Sequence, residues 1–311
     1  MASSDQQGVL VITGPTASGK SALAMALAED LGGEIVTADS AQVYRGMDIG
    51  TAKPDAATQA KVRHHLIDIR DPAEPYSAAD FREDAISAVR EIQARDALPI
   101  IAGGTMLYLK ALKEGLATLP PADQSIRDEI THEAERYGWP HLHRELGKVD
   151  PDAAARIKPM DSQRLQRALE VYRISGRPLS SHHEDATESC PFVLLEIAIM
   201  PPDRSLLHKD IEARFLQMLD QGFVDEVREL KENPDLHVGL PAIRAVGYRQ
   251  IWAYLEEEIN EQSMIETAVA ATRQLAKRQF TWLRGWQDLH TMDQPDMAEA
   301  LKIINNTTIL A

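Results

Sequence analysis

The sequence predicts an α/β protein with a doubly wound parallel sheet and a helical insertion. Short apolar runs rich in β-branched residues alternate with helical segments in the first hundred residues. A glycine-rich motif falls between the first apolar run and the first helix, and a long central stretch contains helical patterns only. The chain has 311 residues, 44% of them apolar, which is enough for one large domain or two smaller ones.

Strands and helices alternate through the first part of the chain. The predicted strands are continuous apolar runs, as expected where both faces of a sheet are covered, and they comprise residues 9–13, 34–38, 65–69 and 98–102. A helix is predicted at residues 21–31. A second helix is predicted from a capping box at Ser77 and Asp80 to about Arg95. Ligands of such sheets gather at the carboxyl ends of the strands.

The pattern changes between residues 120 and 190, where no strand is predicted. Helical segments cover residues 126–137 and 162–175, and Gly176 and Pro178 end the second of them. The turn-forming Pro120-Pro121 and the polar stretch 180–189 bound this region. A strand at 194–199 and helices near 206–219, 224–231 and 264–283 follow. We therefore expect a core domain of residues 1–119 and 191–311 and a helical insertion domain of residues 120–190.

Composition limits the class of protein. No apolar run reaches the ~18 residues of a transmembrane helix, and residues 1–7 do not form a secretory signal. Cys190 is the only cysteine, so an intrachain disulfide is excluded and a reducing compartment, the cytoplasm, is expected. The net charge of −15 argues against a protein coated in nucleic acid, although it permits a local basic face.

The first chemical motif is a phosphate-binding loop between a predicted strand and a predicted helix. It matches G-x-x-x-x-G-K-[ST] in full, through Gly14, Pro15, Thr16, Ala17, Ser18, Gly19, Lys20 and Ser21. Glycines let backbone N–H groups converge on an anion, and the helix N-terminus adds partial positive charge. Lys20 supplies a full charge, and the Ser21 hydroxyl can hold a magnesium ion. The motif alone does not distinguish a nucleotide from another phosphate ligand.

Further motifs follow two other strands. Asp39-Ser40-Ala41-Gln42 opens a segment that runs to Lys53, and Gly103-Gly104-Thr105 follows the later strand. With the phosphate loop, these segments resemble the tRNA dimethylallyltransferase family, the delta-2-isopentenylpyrophosphate:tRNA transferases. The resemblance continues through two later segments and so spans nearly the whole chain: Arg244, Ala245, Val246, Gly247, Tyr248 and Arg249, then Lys277, Arg278, Gln279, Phe280, Thr281, Trp282, Leu283 and Arg284.

The resemblance implies a P-loop kinase-like parallel sheet and a specific reaction. Family members transfer the dimethylallyl group of dimethylallyl diphosphate to N6 of the adenosine 3′-adjacent to the anticodon in tRNA. They release diphosphate and use Mg²⁺. The expected partners are the tRNA anticodon stem-loop and dimethylallyl diphosphate, and no association with a membrane is expected. The protein is expected to be a monomer. The lack of a C-x-x-C pair makes this chain similar to the bacterial type, which has no zinc finger.

Three residues are candidate catalytic groups. The amine nucleophile carries a proton that must leave, and Asp39, at the end of the second strand, is assigned as general base. From position alone, Asp39 could equally cap a helix or lie in the outer shell of a magnesium ion. The Thr105 hydroxyl could bond the diphosphate, the magnesium shell or the base, or serve only in a turn. The resemblance places Arg127 near the tRNA or the diphosphate, whereas the residues alone favour a solvated helix arginine.

The predicted tRNA contacts combine basic and aromatic side chains. Basic residues would hold phosphates, and aromatic rings could stack on unpaired loop bases after the target base flips out. Each basic stretch alone could be an ordinary solvated helix face. The predicted set comprises Asp39, Ser40, Ala41, Gln42, Gln163, Arg164, Leu165, Gln166 and Arg167 together with residues 244–249 and 277–284.

Other functions remain open at this stage. A small-molecule or nucleoside kinase would use ATP at the same loop but leaves the basic C-terminal stretch without a role. A non-catalytic RNA-binding NTPase would need a second-motif aspartate, for which Asp68 is the nearest candidate. Transfer of a prenyl group to free adenylate needs no tRNA surface. The histidine pairs at 64–65, 141/143 and 182–183 lack partners at zinc-site spacing.

Overall fold

The computed structural model describes residues 8–117, 119–182 and 189–307. Residues 1–7, His183 and most of the polar stretch predicted at 180–189 lie outside the described residues. The chain divides into two compact units: Met1–Lys113 with Cys190–Ala311, and Glu114–Ser189. Most of the predicted insertion, 120–190, falls in the second unit. Within the described ranges, no helix combines the length and the apolarity needed to cross a bilayer.

The first unit is built on a six-stranded parallel sheet with the strand order β3-β2-β4-β1-β5-β6. The strands are β1 (Val9–Thr13), β2 (Gly33–Ala38), β3 (His64–His65), β4 (Leu98–Gly103), β5 (Leu194–Ile199) and β6 (Leu289–Met292). Because all strands run the same way, their carboxyl ends share one edge of the sheet. The loops that follow β1, β2 and β4 therefore meet there. The predicted α/β class is confirmed.

Helices cover both faces of this sheet. In chain order they are α1 (Lys20–Leu31), α2 (Ala56–Lys61), α3 (Ala78–Gln93) and α4 (Met106–Glu114), and after the second unit α10 (Arg204–Asp220), α11 (Phe223–Lys231), α12 (Tyr248–Leu255), α13 (Glu261–Arg284) and α14 (Met297–Asn305). Along β1, Val9 and Val11 belong to one buried cluster, while Leu10 and Ile12 belong to the other. Successive side chains of a strand point to opposite faces, and both faces are covered, so the strand is apolar throughout.

The second unit is helical. Its helices are α5 (Gln124–Tyr137), α6 (Trp139–Val149), α7 (Pro151–Arg156), α8 (Ser162–Ser175) and α9 (Leu179–His182). Ile130, Leu142, Leu146 and Leu165 are fully buried in its own core. Gly176 ends α8 in the left-handed conformation, as its position after the helix predicted. No strand occurs in the described part of this unit, in agreement with the sequence.

Two strands differ from the sequence-based expectation. The predicted strand at 65–69 pairs with β2 only at His64–His65, because Leu66 and Asp68 have φ values of 62° and 57°, which an extended strand does not allow. The edge strand β6 was not predicted. Its central residues, His290 and Thr291, are exposed, so the segment lacks the apolar run that marks the inner strands.

Candidate active site

The phosphate loop joins β1 to α1 as the sequence predicts. Gly14 has φ of 150°, and a Cβ added there would lie 2.7 Å from the carbonyl oxygen of Ile199. Only glycine therefore lets the loop pack against β5. Helix α1 begins at Lys20, so its free N–H groups face the loop. The Ser18 hydroxyl is buried without a hydrogen-bond partner in the described structure.

The loops after β2 and β4 are bound to each other. The Ser40 N–H donates to Thr105 Oγ1 (3.0 Å), and the Thr105 N–H donates to the Ala38 carbonyl (3.2 Å). A Cβ at Gly103 would lie 2.1 Å from the Ala38 oxygen, so this glycine permits the close approach of the two strand ends. Asp39 Oδ1 accepts from the Ala41 N–H at 2.9 Å, which fixes the carboxylate at the edge of the sheet.

These loops line one cavity of about 660 Å³. Its wall brings together most of the predicted core-domain candidates with residues of α10, α12 and α13. The lining includes Thr16, Ala17, Lys20, Ser21, Asp39, Ser40, Ala41, Gln42, Thr105, Arg214, Arg244, Gly247, Arg278 and Trp282. Leu107 and Trp282, exposed by 51% and 38%, add apolar surface to the same wall. The volume suits a small ligand, and the mixed lining suits one with an apolar part and a charged part.

Lys20, Arg214 and Asp39 influence one another's charge within this cavity. Burial lowers the pKa of Lys20 to about 8, Asp39 acts in the opposite direction, and Arg214 adds to the lowering. Burial also lowers the pKa of the Arg214 guanidinium, which Asp39 partly offsets. No described residue forms a hydrogen bond or ion pair with Arg214, so its donors are free for an anion. The sequence did not single out Arg214, because an arginine within a helix carries no local signal.

Gln279 of α13 connects two of the loops. Its Oε1 accepts from the Thr16 N–H at 2.9 Å, and its Nε2 donates to the Gly104 carbonyl at 2.7 Å. A Cβ at Gly104 would lie 2.5 Å from Nε2, so the glycine makes room for the amide. Gln279 was predicted as a tRNA contact, but its side chain is buried and instead holds the phosphate loop against the loop after β4.

The other predicted tRNA contacts of the first unit divide by exposure. Lys277, Arg278, Thr281, Trp282 and Arg284 are exposed on α13, and so are Arg244 and Arg249. Ala245 and Val246 are half-buried. Phe280, Leu283 and Gly247 are buried, as is Tyr248. The expectation that Tyr248 and Phe280 stack on unpaired bases is therefore wrong, because their rings pack in the core.

The candidates of the second unit have local partners. The Arg127 guanidinium donates to both oxygens of the fully buried Glu170, at 2.8 and 3.3 Å. Arg167 donates to Glu170 and to the Pro120 carbonyl. Burial acts to raise the pKa of Glu170, but the bonds from Arg127 and Arg167 outweigh it and the pKa is lowered. Arg127 thus has a structural partner that the sequence did not reveal.

The other predicted tRNA contacts of α8, residues 163–166, differ in exposure. Gln163 and Arg164 are exposed, Leu165 is a core residue, and Gln166 donates to the Arg127 carbonyl and to Thr131 Oγ1. Leu165 therefore packs inside the unit and its side chain cannot contact tRNA.

Several of the described histidines have local hydrogen-bond partners. Across the described ranges, no group of three or more His, Cys, Asp or Glu side chains is arranged to hold a metal ion. His65 Nε2 lies 2.6 Å from Glu34, and His143 Nε2 lies 3.0 Å from two backbone carbonyls. These contacts give His65 and His143 structural partners.

The fold and the site define a P-loop α/β protein with a phosphate-binding cavity that also holds a carboxylate. The family model described as IPP transferase matches residues 42–286. The chain therefore belongs to the IPP transferase family, and its activity is tRNA prenylation rather than phosphorylation of a small molecule. The family resemblance seen in the sequence is confirmed.

Solved structures agree with this assignment. The full-length tRNA isopentenylpyrophosphate transferase of Bacillus halodurans is 35% identical, with a TM-score of 0.69 over 97% of this chain and 95% of that one. The tRNA delta(2)-isopentenylpyrophosphate transferase of Staphylococcus epidermidis is 31% identical, with a TM-score of 0.69 over 97% and 99% of the two chains. A eukaryotic dimethylallyltransferase acting on tRNA is 26% identical, with a TM-score of 0.79 over 96% and 79%.

Proposed function

We propose that this chain transfers a dimethylallyl group from dimethylallyl diphosphate to N6 of the adenosine 3′-adjacent to the anticodon in tRNA. The observation that carries this proposal is the cavity itself, because one wall holds the phosphate loop and another holds Asp39. A diphosphate bound at the loop and an amine nucleophile beside Asp39 can thus lie within one cavity. The products are the N6-prenylated adenosine and diphosphate.

The phosphate loop and Arg214 would bind the diphosphate. Backbone N–H groups at the start of α1 donate to its oxygens, and Lys20 and Arg214 supply positive charge. As the bond between the allylic carbon and the diphosphate oxygen breaks, the electron pair leaves with the diphosphate. Fixed positive groups stabilise that growing charge without reorganising. The half-buried position of Lys20 strengthens this interaction relative to bulk water.

Asp39 would accept the proton. The N6 lone pair forms the new C–N bond, and one N6 proton passes to the carboxylate, so charge is balanced across the site. The Ala41 N–H donates to Oδ1 of Asp39 and keeps the carboxylate oriented, so that Oδ2 can take the proton. Thr105, bound to the Ser40 N–H, would position this loop.

A divalent metal is generally required by transferases of this kind, and we propose Mg²⁺ here. The site fits such an ion, because the Ser21 hydroxyl lines the cavity beside the phosphate loop and offers it an oxygen ligand. Mg²⁺ typically takes one or two protein ligands and completes its shell with phosphate oxygens and water. When bound, it neutralises charge on the departing diphosphate.

The exposed basic residues of α13 and the segment before α12 would hold the tRNA. Arg244 and Arg278 line the cavity and lie beside further exposed basic residues, Arg249, Lys277 and Arg284. A flipped base would enter past Trp282, whose ring already has Lys110 Nζ 5.7 Å from its centroid. Gln163, Arg164 and Arg127 are proposed as further tRNA contacts of the second unit. We also propose that the enzyme acts as a monomer in the cytoplasm.

The testing experiment is a transfer assay with labelled dimethylallyl diphosphate and Mg²⁺. The acceptors are an anticodon stem-loop with adenosine at the target site, AMP and ATP. We expect label in the RNA, and a fall in kcat of about 10²–10⁴-fold in Asp39→Asn. Asp96→Asn is the matched control, because Asp96 is exposed and its φ of 56° suits asparagine.

The outcomes separate the candidate functions. Label on free nucleotide alone would assign the adenylate-prenylating activity. ATP consumption without transfer of label would instead favour the alternative function, an ATP-dependent kinase. Full activity of Asp39→Asn would remove Asp39 as the base.

A further inference from the structure

One carboxylate holds the loop between β2 and α2. Glu226 of α11 accepts from three successive backbone N–H groups, those of Asp48 (2.9 Å), Ile49 (2.6 Å) and Gly50 (3.2 Å). Its Oε1 also accepts from the hydroxyl of Tyr248 at 2.5 Å. Four donors therefore meet on one carboxylate, and charge-assisted hydrogen bonds of this kind are the stronger ones.

The Tyr248 hydroxyl remains a donor under all ordinary conditions. Burial raises the pKa of Tyr248 well above 10, and the charge of Glu226 raises it further. The ring is fully buried and packs edge-on against Phe223, with the ring centroids 4.8 Å apart. Tyr248 and Glu226 therefore form a fixed pair between α11, α12 and the loop.

Further hydrogen bonds hold the same loop through the side chains of Lys53 and Thr51. The Lys53 side chain is only 3% exposed and donates to the Tyr44 carbonyl (2.8 Å), to Asp48 (2.5 Å) and to Asp68 (2.6 Å). Thr51 Oγ1 donates to the Met47 carbonyl at 2.7 Å. These hydrogen bonds attach the segment from Met47 to Lys53 to its surroundings and orient its carbonyl groups.

Two of these carbonyls determine the orientation of Gln42. Its Nε2 donates to the Thr51 carbonyl at 3.0 Å and the Ala52 carbonyl at 3.3 Å. Carbonyl oxygens only accept, so the amide nitrogen and not the amide oxygen must face the loop. Gln42 Oε1 accepts no hydrogen bond from any described residue, and Gln42 lines the cavity within three residues of Asp39. Gln42 Oε1 is therefore available as a hydrogen-bond acceptor for a ligand in the cavity.

We propose that Glu226 and Tyr248 are positioning residues for base selection, which hold the Met47–Lys53 loop so that Gln42 presents only a hydrogen-bond acceptor to the target base. This inference rests on the proposed function. The exocyclic amine of adenine has two N–H groups: Asp39 takes the proton of one, and Gln42 Oε1 accepts from the other. A 6-oxo base would place an acceptor against an acceptor and is disfavoured.

The test measures binding without the prenyl donor, so that no reaction occurs. Three stem-loops are compared, with adenosine, inosine or purine riboside at the target site. The wild-type protein is expected to bind the adenosine stem-loop about tenfold or more tightly than the inosine one, with purine riboside between them. Gln42→Leu is expected to bring the adenosine-to-inosine ratio near one.

Tyr248→Phe and Glu226→Gln test the positioning. Each removes or weakens one link while keeping side-chain volume, and each is expected to reduce the adenosine-to-inosine ratio several-fold while affinity for the diphosphate donor stays unchanged. Asp225→Asn is the matched control: Asp225 precedes Glu226 on the same helix, is exposed, and pairs with Arg228. Its ratio is expected to equal that of the wild type.

The binding ratios test the role of Gln42 and the positioning role of Glu226 and Tyr248 separately. An unchanged ratio in Gln42→Leu overturns the role of Gln42. A lost ratio in Gln42→Leu with wild-type ratios in both Tyr248→Phe and Glu226→Gln overturns the positioning role. Because two positioning variants are used, misfolding of one, detected by loss of donor binding, leaves the other to decide. A wild-type protein that transfers no label to any RNA would instead contradict the proposed function, which is a separate result.

Discussion

The surroundings of Lys20 act on its pKa in opposite directions: burial and Arg214 lower it, and Asp39 raises it. Its pKa of about 8 means that, without ligand, it loses its proton as the pH rises through that value. Since only the charged form attracts the diphosphate, we expect the dissociation constant of dimethylallyl diphosphate to increase between about pH 7 and pH 9. Isothermal titration calorimetry across this range measures the effect.

The control for Lys20 is Lys20→Arg, which stays protonated over the whole range. Any pH dependence that survives in this variant belongs to the ligand and not to the lysine. Equal slopes in the two proteins would contradict the assignment of Lys20 as a titrating diphosphate contact.

Arg127 offers a choice between a structural and a catalytic role. Removing it leaves Glu170, which is fully buried, with Arg167 and the Asp123 N–H as partners. Because Arg127 is itself 37% exposed, we discount the cost for solvent screening and expect Arg127→Ala to lower the free energy of unfolding by roughly 1–3 kcal/mol. Urea denaturation measures it.

Arg173→Ala is the comparison for Arg127, because Arg173 pairs with the exposed Glu133 and is expected to contribute less than about 1 kcal/mol. A variant Arg127→Ala that keeps wild-type stability but loses kcat would show that the arginine acts at the reaction and not on Glu170.

Helix α13 holds the phosphate loop in place through the side chain of Gln279. Gln279→Leu would leave the Thr16 N–H and the Gly104 carbonyl without their partner, and each such buried group costs about 1–3 kcal/mol. We expect donor affinity to fall about tenfold or more, because the loop loses its fixed position. Gln274→Leu, on the exposed part of the same helix, is the control. Equal donor affinity in both variants would contradict this role.

The inner strands and the motif-bearing loops could be predicted because their signals are local. A strand buried on both faces is a continuous apolar run, and the phosphate loop and Asp39 directly follow such runs. Strand β6 could not be predicted, since it lies at the edge and exposes its central residues. Arg214 and the burial of Gln279 depend on how helices pack against loops distant in sequence, and local patterns do not carry that information.

The overall charge of −15 conceals a basic surface on the first unit. Lys277, Arg278 and Arg284 are exposed on one helix that has no acidic residue near them in sequence. For single-stranded RNA, each phosphate contact contributes about −0.7 to the slope of log K against log salt. We expect the triple variant K277A/R278A/R284A to make the salt dependence of stem-loop binding shallower by about 2.

Fluorescence anisotropy at several salt concentrations measures that slope. The double variant K61A/K302A is the control, because both lysines are exposed and lie outside the predicted tRNA-binding segments. An unchanged slope in the triple variant would place the tRNA elsewhere, and an equal change in the control would indicate a non-specific effect of net charge.

The position of the second unit in the chain affects how the protein is made. Strand β1 pairs with β4 on one side and β5 on the other, and all of Glu114–Ser189 lies between those two partners in sequence. On the ribosome, one edge of β1 must therefore wait, unpaired, until the helical unit has been synthesised. Such edges invite association between nascent chains. The length of the helical unit therefore sets how long this edge of β1 stays unpaired during synthesis.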